Sequence, residues 1–226
     1  MISFPCAKIN LGLNVLSKRD DGYHNIETVF YPVRGLTDIL EIVESDRFSF
    51  VQTGIRIDSA TEDNLCVKAY RILEKNFGLP PVSMHLHKII PFGAGLGGGS
   101  SDASFTLVLL NRIFGLGISC EHLKAYSATA GSDCAFFVDC VPSLASGRGE
   151  LLEPVEMDIA GLYLLLVKPD IHVSTGEAYG NIIPCRPDQS ISEIIKLPVD
   201  QWKNRLHNDF EKSIFPRYPA IAAIRD

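Results

Sequence analysis

The stretch Pro91-Phe92-Gly93-Ala94-Gly95-Leu96-Gly97-Gly98-Gly99-Ser100-Ser101-Asp102 decides how the rest of the chain is read. Five glycines and two serines lie here between two patterned apolar segments. Upstream, Val82, Met84 and Leu86 alternate with Ser83, His85 and His87, the two-residue period of a half-buried strand that runs out near Ile90. Downstream, Ala103, Leu107, Leu110 and Phe114 recur at helical spacing, with Ser100 or Ser101 as N-cap, Asp102 in the first turn and Gly115 at the C-terminal end. Such a strand, turn and helix start aim backbone N–H groups and the positive end of a helix dipole at an anion, and side chains would block that approach.

Other readings of the loop are weaker. Gly93, Gly95 and Gly98 spell G-x-G-x-x-G, but a dinucleotide site also wants an acidic residue ending the next strand, and Glu121 sits in a polar, helix-like stretch. A Walker A loop needs lysine where Gly99 stands, and the His-Arg-Asp and Asp-Phe-Gly elements of protein kinases are missing. A glycine-rich loop that merely turns the chain would not need five glycines.

At 226 residues and 46% hydrophobic content the chain can bury a sizeable core as one large domain or two small ones. It contains no apolar run long enough to span a bilayer, and Lys8 and Asn10 interrupt the opening segment where a signal peptide would be apolar, so a cytoplasmic protein without membrane attachment is expected. Six scattered cysteines form no C-x-x-C pair, which points to a reducing compartment rather than a disulfide frame or zinc site. A net charge of -6 argues against a nucleic-acid partner and leaves a small phosphorylated ligand open.

Along the chain, Cys6 to Val15 alternates, with Lys8, Asn10 and Asn14 on its polar face; Lys18 to Gly22 turns, and Tyr23 to Val33 returns as a strand. Strands are expected at Ile39 to Val43 and Phe48 to Ile57, then a helix capped by Thr61 and ended by Gly78. After the loop and its helix comes a helix from Cys120 to Thr129, leading into Ala130-Gly131-Ser132-Asp133, where the aspartate is either a cap or a catalytic group. Ser146-Gly147-Arg148-Gly149 reads as a tight turn or hinge. Leu162 to Val167 reads as a buried strand, Ser174 to Glu177 as a helix start carrying Tyr179, and Trp202, Leu206, Phe210 and Ile214 as a further helix, with Pro219 opening one more. His85 and His87 share a strand face as a metal pair would, without a third ligand.

Four segments together resemble the GHMP kinase superfamily, and within it the branch that phosphorylates a diphosphocytidyl-methylerythritol. Pro5-Cys6-Ala7-Lys8-Ile9-Asn10-Leu11 resembles the opening strand of that branch, Asp21-Gly22-Tyr23-His24 its cytidine-recognition segment, residues 91 to 103 its ATP loop, and Ala130-Gly131-Ser132-Asp133 its catalytic aspartate motif. Weaker matches are Asp63-Asn64-Leu65, Val173-Ser174-Thr175 and Asn208-Asp209-Phe210-Glu211. The resemblance implies a two-domain α+β fold: an N-terminal α/β domain with the phosphate loop over 1–155, and a ferredoxin-like C-terminal domain, incomplete here, over 156–226, with a cleft between them. It implies ATP-dependent phosphorylation of the 2-hydroxyl of 4-diphosphocytidyl-2-C-methyl-D-erythritol in non-mevalonate isoprenoid synthesis, with ATP and Mg²⁺. Lys8 and Asp133 are then the catalytic pair. ATP would be held by Asn64, Leu65, Lys88, Pro91, Gly93, Ala94, Gly95, Leu96, Gly97, Gly98, Gly99, Ser100 and Ser101, with Ser101 as the side-chain ligand of Mg²⁺ or else a simple N-cap. The substrate would meet Asn10, Tyr23, His24, Asp133, Thr175 and Tyr179, His24 hydrogen-bonding the cytosine and Tyr23 and Tyr179 stacking on it.

The third glycine-rich motif that the resemblance implies near the C-terminus is missing, since the last glycine is Gly180. A shortened chain is the expected explanation. Rival readings are a GHMP kinase for another small alcohol, a catalytically silent nucleotide-binding homologue, and a nicotinamide-dependent oxidoreductase. A monomer or weak homodimer is expected.

Overall fold

Each element of the chain can be traced in the computed structural model, which describes residues 1–226 apart from 57–59, 158, 160, 181 and 226. The strands are β1 (Ile2–Ser3), β2 (Cys6–Lys18), β3 (His24–Thr37), β4 (Ile39–Glu44), β5 (Ser49–Gly54), β6 (Val82–Lys88), β7 (Ser143–Ser146) and β8 (Leu151–Pro154). The helices are α1 (Leu65–Phe77), α2 (Gly98–Ile113), α3 (Cys120–Ala128), α4 (Thr175–Tyr179), α5 (Ile191–Ile194), α6 (Phe210–Ile214) and α7 (Pro219–Arg225). The strand expected to end at Ile57 is observed as Ser49–Gly54, Ile57 lying outside the described residues. Two compact units form, Met1–Ile9 with Pro32–Val141, and Asn10–Tyr31 with Pro142–Asp226. The chain passes between them within β2 and β3, so no single cut separates the units.

The first unit holds a sheet in the order β1-β4-β6-β5, antiparallel except where β5 runs parallel to β6. A parallel pair needs a crossover, and α1 supplies it. Register places Leu40 opposite Leu86 and Ile42 opposite Met84, which puts four buried side chains on one face. Against them pack Val67, Tyr70 and Leu73 of α1 and Leu107 and Leu110 of α2 in one core. The helix expected from Thr61 starts later, because Asn64 takes the cap: its Oδ1 accepts from the Cys66 N–H at 2.9 Å, and Thr61–Asp63 is a 3₁₀ turn.

The second unit carries β7 and β8 beside the 10–31 hairpin, in the sheet order β2-β3-β7-β8. Val29 lies opposite Leu144 and packs with Ile191 and Ile195, while Leu13, Val15 and Ile26 form a second cluster bordered by Tyr179 and Phe210. The expected helix from Trp202 to Ile214 is broken. Leu13 exchanges backbone hydrogen bonds with His207 and Asp209, Asn204 has φ +65°, and only Phe210–Ile214 closes as α6. Strand-like pairing with β2 uses the backbone groups a continuous helix would need. The expected strand from Leu162 to Val167 is also absent: the segment has no regular structure and its apolar side chains are exposed. No strand among the described residues runs alongside it, so its N–H and C=O groups have no ladder to join.

Candidate active site

Strand β6 ends at Lys88, and the chain then bends through the glycine-rich loop into α2. Gly93, Gly95 and Gly97 all have left-handed φ values, +66°, +71° and +70°, alternating with residues that do not. Such alternation curls successive N–H groups toward one point and forms an anion-binding concavity. The helix starts at Gly98 with Gly97 as its cap, three residues before Ser100, the first of the serines expected in that role. The reason is crowding. A Cβ on Gly97 would lie 2.7 Å from Phe137 Cζ and 3.1 Å from Lys8 Cγ, and one on Gly98 would lie 3.0 Å from Ile90 Cγ2. Glycine at both positions lets the helix terminus sink against its neighbours and leaves a cavity of about 240 Å³, lined by Leu65, Phe92, Gly93 to Gly99 and Ser100.

Lys8 links this loop to the aspartate segment. Its N–H donates to the Leu96 carbonyl at 2.9 Å, and its buried side chain reaches the Asp133 carboxylate, Nζ to Oδ2 3.3 Å. Asp133 stands at the N-cap position of the 3₁₀ turn Cys134–Val138 without a side-chain cap hydrogen bond. Of the two roles open to it from sequence, capping is therefore not the one it fills. Ser104 Oγ donates to the carbonyls of Ser100 and Cys134, at 2.9 and 2.6 Å, and ties α2 to the aspartate segment.

Lys88 does something sequence reasoning did not foresee. Its ammonium is buried between Asp38 and Asp102, with Asp102 Oδ2 at 2.6 Å. Asp38 Oδ1 also accepts from the N–H groups of Ile89 and Ile90, at 2.5 and 2.8 Å. Burial lowers the Lys88 pKa, but the two carboxylates outweigh it and leave it raised; burial and the Asp38 carboxylate push Asp102 up to about 7. Lys88 thus anchors the start of the loop to α2, with its ammonium committed to protein carboxylates. Its partner Asp38 carried no signal in sequence, because the contact spans 50 positions.

Asn64 likewise spends its side chain locally, capping α1 and donating to Gln52 Oε1 at 3.2 Å, while Leu65 beside it lines the cavity. Ser100 lines the cavity, but Ser101 is fully buried and its Oγ has no hydrogen-bond partner among the described residues. The glycine cradle, the helix terminus and the apolar wall of Leu65 and Phe92 fit a nucleotide triphosphate. No group of three or more metal-ligating side chains occurs among the described residues, so Mg²⁺ would have to be held chiefly by phosphate oxygens, with Ser100 the hydroxyl that reaches the cavity. His85 and His87 both contact Thr53 Oγ1 at 2.9 Å.

The second unit has its own cavity, about 440 Å³, lined by Tyr23, His24, Arg148, Thr175, Tyr179 and neighbours. The stacked pair here is His24 on Tyr179, with centroids 4.8 Å apart and planes 13° off parallel. Tyr23, expected with Tyr179 to offer a stacking surface to the base, lines the same cavity half-exposed, under the Arg148 guanidinium 4.9 Å from its ring centroid. Thr175 opens α4 behind the Ser174 cap, and Asn10 donates to Thr28 Oγ1 at 2.9 Å. Arg148 was missed because Gly147 and Gly149 made the segment read only as a turn; a lone arginine between glycines, aimed outward by that turn, was the available signal.

Residues 64–147 match the GHMP kinases N terminal domain. Across its full length the chain is 55% identical to the 4-diphosphocytidyl-2-C-methyl-D-erythritol kinase of Parabacteroides distasonis, covering 83% of that protein. The chain belongs to this kinase family. The family member of Bacteroides thetaiotaomicron is 54% identical over 229 residues, again with 83% of its length covered. A crystal structure of a 4-(cytidine 5'-diphospho)-2C-methyl-D-erythritol kinase superposes with a TM-score of 0.80 at 28% identity, over 100% of this chain and 81% of that one. The homoserine kinase of Cytophaga hutchinsonii, at 17% identity, TM-score 0.57 and coverage of 90% and 64%, shares the fold.

Proposed function

We propose that this chain transfers the γ-phosphoryl group of ATP to the 2-hydroxyl of 4-diphosphocytidyl-2-C-methyl-D-erythritol, the compound for which its relatives are named as kinases. The observation that carries the reading is the Lys8–Asp133 pair at 3.3 Å, with the Lys8 stem packed against the Gly97 turn of the phosphate cradle. ATP supplies the phosphoryl group and Mg²⁺ its charge neutralisation. Phosphoryl transfer asks little covalent chemistry of a protein; it asks for positioning and for charge where charge develops. Asp133 accepts the proton of the attacking hydroxyl. Lys8 orients the Asp133 carboxylate and steadies charge on the transferring group. The N–H groups of residues 93–100 hold the phosphates, and Leu65 and Phe92 flank the base. Lys88 supports this cradle from beneath through Asp38 and Asp102.

The cytosine end of the substrate is read by the second cavity. There the His24–Tyr179 stack offers a flat face and a ring nitrogen, and Arg148 with Lys18 adds positive charge suited to a diphosphate. Thr175 and Asn10 complete the polar contacts. In family terms, the ATP-binding domain spans 1–155 and 156–226 belong to the C-terminal domain, although the 10–31 hairpin and 142–155 pack in the compact unit of the latter. No helix of the described residues is long and apolar enough to cross a membrane. The chain works in the cytoplasm on a small molecule, without nucleic acid, as a monomer or weak homodimer.

The test is ADP release from ATP and the diphosphocytidyl substrate, with a no-substrate control and Asp133→Asn. Substrate-dependent release that the variant lacks is the expected result; release independent of substrate, or equal in the variant, overturns the assignment.

A further inference from the structure

Two thiols of the first unit lie together outside the groups used above. Cys6 Sγ and Cys140 Sγ are 3.2 Å apart, joined by a hydrogen bond across 134 positions of chain. Cys6 is buried in β2, two residues before Lys8; Cys140 is partly accessible and follows the Cys134–Val138 turn that begins at Asp133. Cys140 has φ +50°, a left-handed conformation that non-glycine residues rarely adopt. Arg34 holds it there by donating to its carbonyl at 3.2 Å, and the result is to aim the sulfur at Cys6.

We propose that Cys6 and Cys140 form a reversible disulfide when the chain meets a peroxide, and that this bond switches the Lys8–Asp133 centre off. The redox step balances as follows: the Cys6 thiolate attacks one peroxide oxygen, giving Cys6 sulfenic acid and hydroxide. The Cys140 sulfur then attacks the Cys6 sulfur and loses its proton, the S–O bond breaks, and the sulfenic oxygen leaves as water. Each sulfur is oxidised by one electron and the peroxide is reduced by two. The pair is poised for this. The Cys140 S–H and the Arg34 charge draw the Cys6 pKa below that of an ordinary thiol, although burial opposes them, whereas the Cys6 neighbour and burial push Cys140 up. Cys66 and Cys134 are buried thiols with raised pKa values, Cys134 at about 11.

The consequence for turnover rests on the kinase reading. Closing 3.2 Å to a disulfide bond of about 2.05 Å moves the sulfurs about 1.2 Å closer. Cys6 sits in a buried strand, so the 3₁₀ turn before Cys140 gives way. That turn carries Phe137, which already fills the space beside Gly97, and starts at Asp133. A displacement near 1 Å at a phosphoryl-transfer centre costs on the order of a hundredfold in rate.

The experiment treats the Cys120→Ser/Cys185→Ser protein with hydrogen peroxide, because those two thiols are exposed. Non-reducing tryptic mapping should find Met1–Lys8 joined to Ala125–Arg148, a species absent in Cys140→Ser and lost on adding dithiothreitol. Absence of the linkage, or its survival in Cys140→Ser, overturns the pairing. Turnover should fall ten- to a hundredfold on oxidation, recover with dithiothreitol, and stay unchanged in Cys140→Ser; an oxidised, linked protein that keeps full turnover overturns the switch. If the reduced protein shows no kinase activity, it is the kinase reading that fails, and the peptide map still decides the thiol pair.

Discussion

Replacing Gly97 by alanine tests the central geometric claim, that the phosphate loop is glycine-rich because its neighbours leave no room and not only because it turns. Gly97 and Gly95 have nearly the same backbone conformation, φ +70° and +71°. Alanine at either position pays the left-handed penalty of about 1–2 kcal/mol. Only Gly97 is crowded: its new Cβ would stand 2.7 and 2.9 Å from the Phe137 ring and 3.1 Å from Lys8 Cγ, whereas nothing lies within 4 Å of a Cβ on Gly95. Overpacking of this kind adds about 1–3 kcal/mol. At about 2–4 °C per kcal/mol for a chain of this size, Gly97→Ala should melt about 2–12 °C below Gly95→Ala in a thermal denaturation followed by circular dichroism. Relief of the clash displaces Phe137 or the Lys8 stem, so kcat for ADP release should fall on the order of a hundredfold in Gly97→Ala. Equal melting temperatures for the two variants would refute the crowding argument.

Other outcomes follow from the same contacts. Lys8→Ala and Asp133→Asn should each lower kcat by two or more orders of magnitude with little change in the circular dichroism spectrum; near-normal turnover in either removes that residue from the mechanism. Tyr179→Ala removes the surface on which His24 stacks and should raise the KM for the diphosphocytidyl substrate at least tenfold while the ATP KM stays within about twofold; equal rises would argue against base recognition in that cavity. The Asp102 carboxyl is raised from 3.8 to about 7, so the native chain keeps a proton that the unfolded chain releases. Its contribution to stability is complete below about pH 4 and is lost as pH rises through about 7. Asp102→Asn, uncharged throughout, should flatten that slope in denaturant melts across this range; an unchanged slope would place the titration elsewhere.

Lys8, Asp133 and the glycine loop were legible in the sequence because local chemistry marks them: a lysine on the polar face of an alternating strand, an aspartate after a Gly-Ser turn, and more glycines than a turn requires. The hairpin, the strand-helix-strand order from β5 through α1 to β6 and the start of α4 were legible for the same reason, since period, caps and turn residues act over a few positions. The α2 start was misplaced because serine is the better cap by propensity, and only the nearness of Phe137 and Ile90 shows why glycine occupies the turn instead. The Leu162–Val167 segment reads as a strand by composition, yet a strand exists only where another backbone offers hydrogen bonds.

By itself, then, the sequence determined most elements of the first 130 residues, the family resemblance and the candidate catalytic pair, all of which rest on residue types at short spacing. Tertiary structure decided that Lys88 is clamped by Asp38 and Asp102, that His24 stacks on Tyr179 while Tyr23 lies under Arg148, that Arg148 joins the second cavity, and that Cys6 lies against Cys140. Each of these contacts joins residues well separated along the chain, where no propensity or periodicity reaches and only the packing of strands and helices brings the side chains together.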